Sequence, residues 1–442
     1  MNIAIIGCGY VGLVSGACFS ELGNRVICVD NDKKKIAGLK KGLIPIYEPG
    51  LEGMVSNNAR KKRLHFTSSI AEAVSKSDII FIAVGTPSLS NGEADLTYIE
   101  NVARSIASNL GGSGKKKGAY KLIVEKSTVP VETGMWVKHT IALNLKTKIK
   151  FDVASNPEFL REGQAIDDFM HPDRIVVGVE SKAAKDMLVN LYKPLKAPIV
   201  VTNINSAELI KHASNSFLAT KISFINAISY ICDKVGADVM EVAKGMGLDK
   251  RIGPSFLNAG IGYGGSCFPK DLDAFVNISA KLGYEFGLLN AVREINQQQK
   301  EVFIRKIKDT LWIIKDKTIG VLGLSFKPNT DDIRNAPSID IIRGLQSEGA
   351  NIRVYDPQSM DKAKEALQRV KFCNDSYDVC KTSDCLLIMT EWPEFKELDF
   401  LKIKKLLKRP LIIDGRNIYD PLDLGKIGFN YVCIGRGYSI KK

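Results

Sequence analysis

A chain of 442 residues, 45% hydrophobic and 25% charged, has the composition of a folded globular protein and a length that suits about three domains. No apolar stretch approaches the ~18 residues of a membrane span, the N-terminus is an apolar strand with no cleavable leader, and nine scattered cysteines form no C-x-x-C pair, so a cytoplasmic chain with reduced thiols and no membrane partner is expected. The net charge of +13 comes from separate basic runs at 33–35, 60–63, 115–117 and 402–408 without interleaved aromatics, which argues against nucleic acid, and four histidines in no metal-type cluster argue against a metal.

The first element is the apolar run Asn2 to Ile6, read as a buried strand. Gly7-Cys8-Gly9-Tyr10-Val11-Gly12 follows, then a helical stretch to about Leu22, a stop at Gly23-Asn24, and a strand ending at Asp30. This is G-x-G-x-x-G in its required setting of strand, turn, helix and strand. The glycines admit a pyrophosphate to the helix N-terminus, where backbone N–H groups bind anions. Asp30, eighteen residues after Gly12, is placed to accept from ribose hydroxyls, and the following Asn31-Asp32 offers no arginine, so NAD is expected over NADP. Cys8 reads as a spacer.

Strands are predicted at 79–84, 122–125, 151–154, 175–179 and 199–201, alternating with helices as in a parallel, doubly wound sheet. Gly111 to Gly118 reads as a flexible surface loop. From Ser206 to about Leu311 the pattern is almost wholly helical, and Leu288 to Leu311, free of Gly and Pro, predicts one helix of about 36 Å. A second α/β set follows, with strands at 318–323, 352–355, 386–389, 411–413 and 431–434. The expected fold is α/β: two Rossmann-like doubly wound domains, 1–205 and 313–442, joined by a central helical layer, 206–312, with a long helix.

Within that layer lies Gly262-Tyr263-Gly264-Gly265-Ser266-Cys267-Phe268-Pro269-Lys270-Asp271. Its glycines allow φ > 0 or close approach to a ligand. Pro269 marks a helix start. A helix N-terminus and the nearby Lys270 favour thiolate at Cys267, and a thiolate attacks carbonyl carbon. A dinucleotide oxidant together with a nucleophilic cysteine suggests a two-stage oxidation, from alcohol to aldehyde and through a cysteine adduct to acid.

These motifs, with Val84-Gly85-Thr86-Pro87, Glu125 to Pro130 (EKSTVP), Ser155 to Gly163 (SNPEFLREG), Lys211 with Asn215, Phe326-Lys327 and Asp414-Gly415-Arg416, stand in the order of one family. From Met1 to about Arg436 the chain resembles the UDP-glucose 6-dehydrogenase family of NAD-dependent nucleotide-sugar dehydrogenases. The resemblance implies oxidation of UDP-glucose to UDP-glucuronate with two NAD, by a homodimer or higher homo-oligomer, through a thiohemiacetal and thioester on Cys267.

It also implies residue roles. Lys211 stabilises the oxyanions, assisted by Asn215. Asp271 handles a proton, Glu158 positions or deprotonates water, and Thr128 binds the reacting centre through water. Tyr10, Val11, Lys35, Thr86, Thr128, Glu162, Lys270 and Arg334 join Gly7, Gly9, Gly12 and Asp30 around NAD. Phe159, Leu160, Phe256, Gly264, Lys327 and Arg416 join Glu158, Glu162, Lys211 and Asn215 around the sugar nucleotide. Arg251 stands where the family sends an arginine into a neighbouring subunit's site, and Asn258 where several relatives carry a lysine.

Two readings stay beside this one. The same four-electron chemistry on GDP-mannose or a UDP-N-acetylhexosamine shares most of the motifs. Phe268 and His171-Pro172-Asp173-Arg174 look more like the UDP-glucose group, and Ser266 departs from the Gly-Gly-His-Cys of the N-acetylmannosamine enzymes. A non-catalytic nucleotide-binding protein on the same fold is the other reading, disfavoured by the presence of Cys267, Lys211 and Asp271 together.

Overall fold

A computed structural model describes residues 1–89, 91–110 and 120–437. The loop expected at Gly111 to Gly118 lies outside the described residues. The chain forms two compact units: Met1–Ser214 with Asp273–Tyr284, and Asn215–Leu272 with Glu285 onward.

The first unit is built on eight strands: β1 (Asn2–Ile6), β2 (Arg25–Val29), β3 (Leu64–Thr67), β4 (Ile79–Ile82), β5 (Tyr120–Glu125), β6 (Lys150–Ser155), β7 (Ile175–Gly178) and β8 (Ile199–Thr202). Their spatial order is β3-β2-β1-β4-β5-β6-β7-β8. All four residues of β4 (IIFI) are buried, because helices cover both faces of the sheet. Neighbours run parallel except at one place. There β7 meets β6 antiparallel, through the single pair Ser155–Gly178. The connection between them, 156–174, holds the short helix Ala165–Met170.

The second unit carries six parallel strands: β9 (Thr318–Leu322), β10 (Asn351–Tyr355), β11 (Val370–Phe372), β12 (Cys385–Ile388), β13 (Leu411–Asp414) and β14 (Asn430–Cys433). They lie in the order β11-β10-β9-β12-β13-β14. This sheet repeats the first turn of the other. Gly323 after β9 has φ +94°, as Gly7 after β1 has φ +107°. Asp356 after β10 stands where Asp30 stands after β2. Asp356, however, is 1% exposed and accepts from the N–H groups of Leu324 and Ser325, the Ser325 hydroxyl and the Trp392 indole. Its lone pairs close the turn, so this half keeps the topology of a dinucleotide fold without its ribose acceptor.

The expected run of helix from Ser206 to Leu311 is corrected in two respects. Its longest element is the helix Ile204–Val235, 32 residues, ahead of the predicted one, which forms as Gly287–Leu311 with 25. Helix is absent from Leu248 to Ser266, where Gly253, Pro254, Gly260, Gly262, Gly264 and Gly265 interrupt it. That interruption leads the chain into Cys267.

Candidate active site

At the C-terminal end of β1, Gly7 and Gly12 are fixed by the backbone around them. A Cβ on Gly7 would sit 2.4 Å from the Ala83 carbonyl oxygen, and one on Gly12 only 1.8 Å from that of Gly7. A Cβ on Gly9 would meet nothing within 4 Å. The loop thus packs tightly inward and stays open outward at the N-terminus of the helix Tyr10–Glu21, an arrangement that fits a pyrophosphate. Cys8 is buried, and its N–H donates to Asp30 Oδ2 at 3.0 Å.

Asp30 also accepts from the Asp32 N–H at 3.0 Å and the Lys35 ammonium at 2.9 Å. Burial pushes its pKa upward, but these donors outweigh burial and hold it below the usual carboxylate range. The carboxylate is therefore held charged at the end of β2. We expect kcat/KM for NAD to exceed that for NADP by about 10²-fold, or about 2.7 kcal/mol, and Asp30→Ala to collapse most of that ratio; steady-state kinetics with both cofactors checks it. Retention of the ratio in Asp30→Ala would assign discrimination elsewhere.

Tyr10 and Glu48 brace this cradle. Their side chains bond to each other, and the Gly163 N–H donates to the Tyr10 hydroxyl at 2.8 Å and to Glu48 at 2.6 Å. Glu48 takes the Ala165 N–H as well, at 2.8 Å. The turn containing Glu162 is thereby tied to the helix that begins at Tyr10. Thr86 donates its hydroxyl to the Thr128 carbonyl at 2.9 Å, fixing the loops after β4 and β5 to each other.

A charged cluster occupies the C-terminal ends of β5 and β6. Glu158 Oε1 lies 3.0 Å from Lys211 Nζ, both side chains 5% exposed, and its Oε2 accepts the Leu160 N–H at 2.6 Å. The Phe159 ring has the Arg174 guanidinium 3.7 Å from its centre and Lys211 Nζ at 5.4 Å. Arg161 forks onto Asp168 at 2.5 Å. The sequence reading singled out neither Lys126 nor Asn156, yet Lys126 Nζ is buried here, 3.1 Å from Asn156 Oδ1. Burial pushes Lys126 down to about 8 and Glu125 up to about 8. Glu208, one turn before Lys211, is pushed by burial up to about 7 and caps the N–H groups of Glu132 and Gly134, both at 2.8 Å. No sequence signal marks this cluster, because Asn156, the partner of Lys126, is brought to it only by the pairing of β5 with β6.

The helix Cys267–Lys281 starts on Cys267 itself, two residues before the expected Pro269, and the proline sits in the first turn, where no N–H is missed. Eight of the nine cysteines are buried; Cys267 is the partly exposed one. Asp271, 1% exposed, accepts from the Asn215 amide at 2.6 Å and pairs with Lys270 at 2.8 Å. Lys270 thus balances Asp271 as well as standing three residues from the sulfur. The glycines before Cys267 answer to packing. Gly265 has φ +80° and its Cβ would strike the Phe326 ring, while a Cβ on Gly264 would lie 2.4 Å from the Asn335 carbonyl oxygen.

The other predicted ligand-holders are placed as follows. Arg416 donates to the carbonyls of Met389 at 2.8 Å and Phe326 at 3.2 Å. Lys327 lies over Phe326 at 5.7 Å, and Arg334 forks onto Asp332 at 2.6 Å. Phe256 holds φ +65° with its ring 6.3 Å from that of Phe268. Asn258 is exposed, and Arg251 is 89% exposed and forks onto Asp249. Lys211 and Asn215 stand one turn apart in the helix Ile204–Val235.

Among the described residues no helix is long and apolar enough to cross a membrane. Residues 1–196 match the NAD binding domain of the UDP-glucose/GDP-mannose dehydrogenase family, 205–298 its central domain and 320–421 its UDP binding domain. The chain is 51% identical over 436 residues to the UDP-glucose 6-dehydrogenase TuaD of Bacillus subtilis, covering 98% of this chain and 93% of that one. It is 47% identical to the UDP-glucose 6-dehydrogenase of Rhizobium meliloti, covering 99% and 100%. Among solved structures, a UDP-glucose dehydrogenase from the archaeon Pyrobaculum islandicum superposes with a TM-score of 0.88 at 39% identity, covering 94% of each chain. Matched along nearly its whole length, the chain belongs to the UDP-glucose/GDP-mannose dehydrogenase family.

Proposed function

We propose that the chain oxidises UDP-glucose to UDP-glucuronate in two NAD-dependent steps. The observation that carries the reading is Cys267: the one cysteine that is not buried begins a helix, with Lys270 and a buried Asp271 in the next turn. NAD, when bound, accepts one hydride in each oxidation.

The chain's own groups do the rest. In the first step the primary alcohol gives up a hydride and a proton, and Lys211 stabilises the alkoxide that precedes the aldehyde. The Cys267 sulfur then adds to the aldehyde carbon, forming a C–S bond and a thiohemiacetal. Loss of the second hydride and the hydroxyl proton gives a thioester. Water positioned by Glu158 breaks the C–S bond, releasing the acid and restoring the thiol; Asp271, held by Asn215, moves the proton between water and sulfur. Thr128, Glu162 and Thr86 line the nicotinamide side, and Lys327, Arg416, Phe159 and Leu160 hold the sugar nucleotide. Arg334 meets the NAD pyrophosphate.

A homodimer is part of this reading. Phe217, Phe224 and Ile231, seven residues apart on the helix Ile204–Val235, are 66%, 48% and 54% exposed, an apolar stripe of the kind a second copy covers. Arg251 then reaches the neighbour's site. The thiols suit the reducing cytoplasm.

We expect two NADH per UDP-glucose consumed, with no aldehyde released. The assay is NADH formation against limiting UDP-glucose, GDP-mannose and N-acetylated UDP-sugars. One NADH per sugar would exclude the thioester route, and faster turnover of another sugar nucleotide would replace UDP-glucose as substrate.

A further inference from the structure

The charged cluster of the first unit contains one more cation than the chemistry above uses. Lys126 extends from the end of β5, 4% exposed, with Nζ 3.1 Å from Asn156 Oδ1 and 5.9 Å from the centre of the Phe81 ring. Asn156 is itself anchored, its amide to the Val176 carbonyl at 2.7 Å and its oxygen to the Tyr192 hydroxyl. It stands two residues before Glu158. Glu158 attracts the Lys126 charge and Lys211 repels it, so the three form one electrostatic group. Two ammoniums and one carboxylate leave it with a net positive charge.

Lys211 has two demands on it. It is 3.0 Å from Glu158 Oε1, and in the proposed reaction it also stabilises an oxyanion on the substrate. As its charge is drawn to that oxyanion, Glu158 loses counter-charge while remaining buried, which is unfavourable. We propose that Lys126 is a positioning residue, a second counter-ion that keeps Glu158 compensated and so releases Lys211 to the reacting oxygen. The inference rests on the function proposed above. Without Lys126, Lys211 stays committed to Glu158 and the first oxidation slows.

The test is single-turnover NADH formation in the first oxidation, with UDP-glucose and NAD at saturation. Lys126→Gln keeps an amide toward Asn156 and removes the charge; it is expected to slow the first hydride transfer by about 10²-fold, while Lys126→Arg keeps the step near wild type. Adding Glu158→Gln to Lys126→Gln removes the group that holds Lys211, and the first oxidation is expected to recover by at least about 10-fold. A merely structural role for Lys126 produces no such rescue. Lys126→Gln as fast as wild type, or a double variant no faster than Lys126→Gln alone, overturns the proposal. If Lys126→Gln does not fold, Lys126→Met is read in the same way beside its own double with Glu158→Gln. Wild-type enzyme that fails to oxidise UDP-glucose at all removes the function reading instead; two NADH per sugar without the rescue removes only the role of Lys126.

Discussion

Replacing Cys267 by Ser is expected to leave an enzyme that binds UDP-glucose and NAD and performs the first oxidation, but loses steady-state turnover by a factor on the order of 10³ or more. The fold tolerates the change. Serine is a good residue at a helix start, the side chain is of similar size, and the neighbouring Ser266 hydroxyl already sits 3.7 Å from the sulfur. The chemistry does not tolerate it. A hydroxyl is almost wholly protonated at neutral pH, so addition to the aldehyde is slow, and any adduct oxidised further becomes an oxygen ester instead of a reactive thioester. Rapid-quench NADH counting should give one equivalent per site and then a stall with trapped aldehyde, or a second equivalent followed by a stall at a slowly hydrolysed acyl-serine, and mass spectrometry tells the two apart. Turnover to UDP-glucuronate at the wild-type rate would make the residues around Cys267 a structural turn and nothing more.

The dinucleotide half was legible because its signals are local. An apolar strand, three glycines at fixed spacing and an acidic residue after the next strand need no distant partner to be read, and the strand, turn, helix and strand form as expected, with Gly7 directly after β1 and Asp30 directly after β2. The two strands that went unread, β3 and β11, are the outer strands of their sheets. They are four and three residues long and carry His65 and Lys371, so neither shows the apolar run that marks the buried β4. The start of the helix at Cys267 was set two residues late because proline is a strong marker of a first turn but occupies more than one position in it. Buried charge was the hardest feature to see. Lys121, not singled out from the sequence, is 1% exposed and donates to the carbonyls of Val74 and Ser77, closing the end of the helix Ile70–Lys76. Lys126 and Glu48 are likewise defined by partners 30 and 115 residues away, such as Asn156 and Gly163, which only the folded sheet supplies.

Lys211→Ala is expected to impair the protein twice, and the two effects can be separated. Glu158 is buried with Lys211 at 3.0 Å; removing the lysine leaves a buried carboxylate with the Leu160 N–H and the more distant Lys126 charge. Breaking a buried pair from one side costs about 3–5 kcal/mol of stability, readable as a fall in the urea midpoint at unchanged slope. Loss of the oxyanion donor should also slow both hydride transfers by about 10²–10³-fold, in contrast to Cys267→Ser, which spares the first. Combining Lys211→Ala with Glu158→Gln removes the stranded charge, so most of the lost stability should return while the first oxidation stays slow. That pattern would assign Lys211 to the transition state as well as to the ion pair. Recovery of the first oxidation in the double variant would show that Lys211 acts only by neutralising Glu158, and the oxyanion would then need another donor.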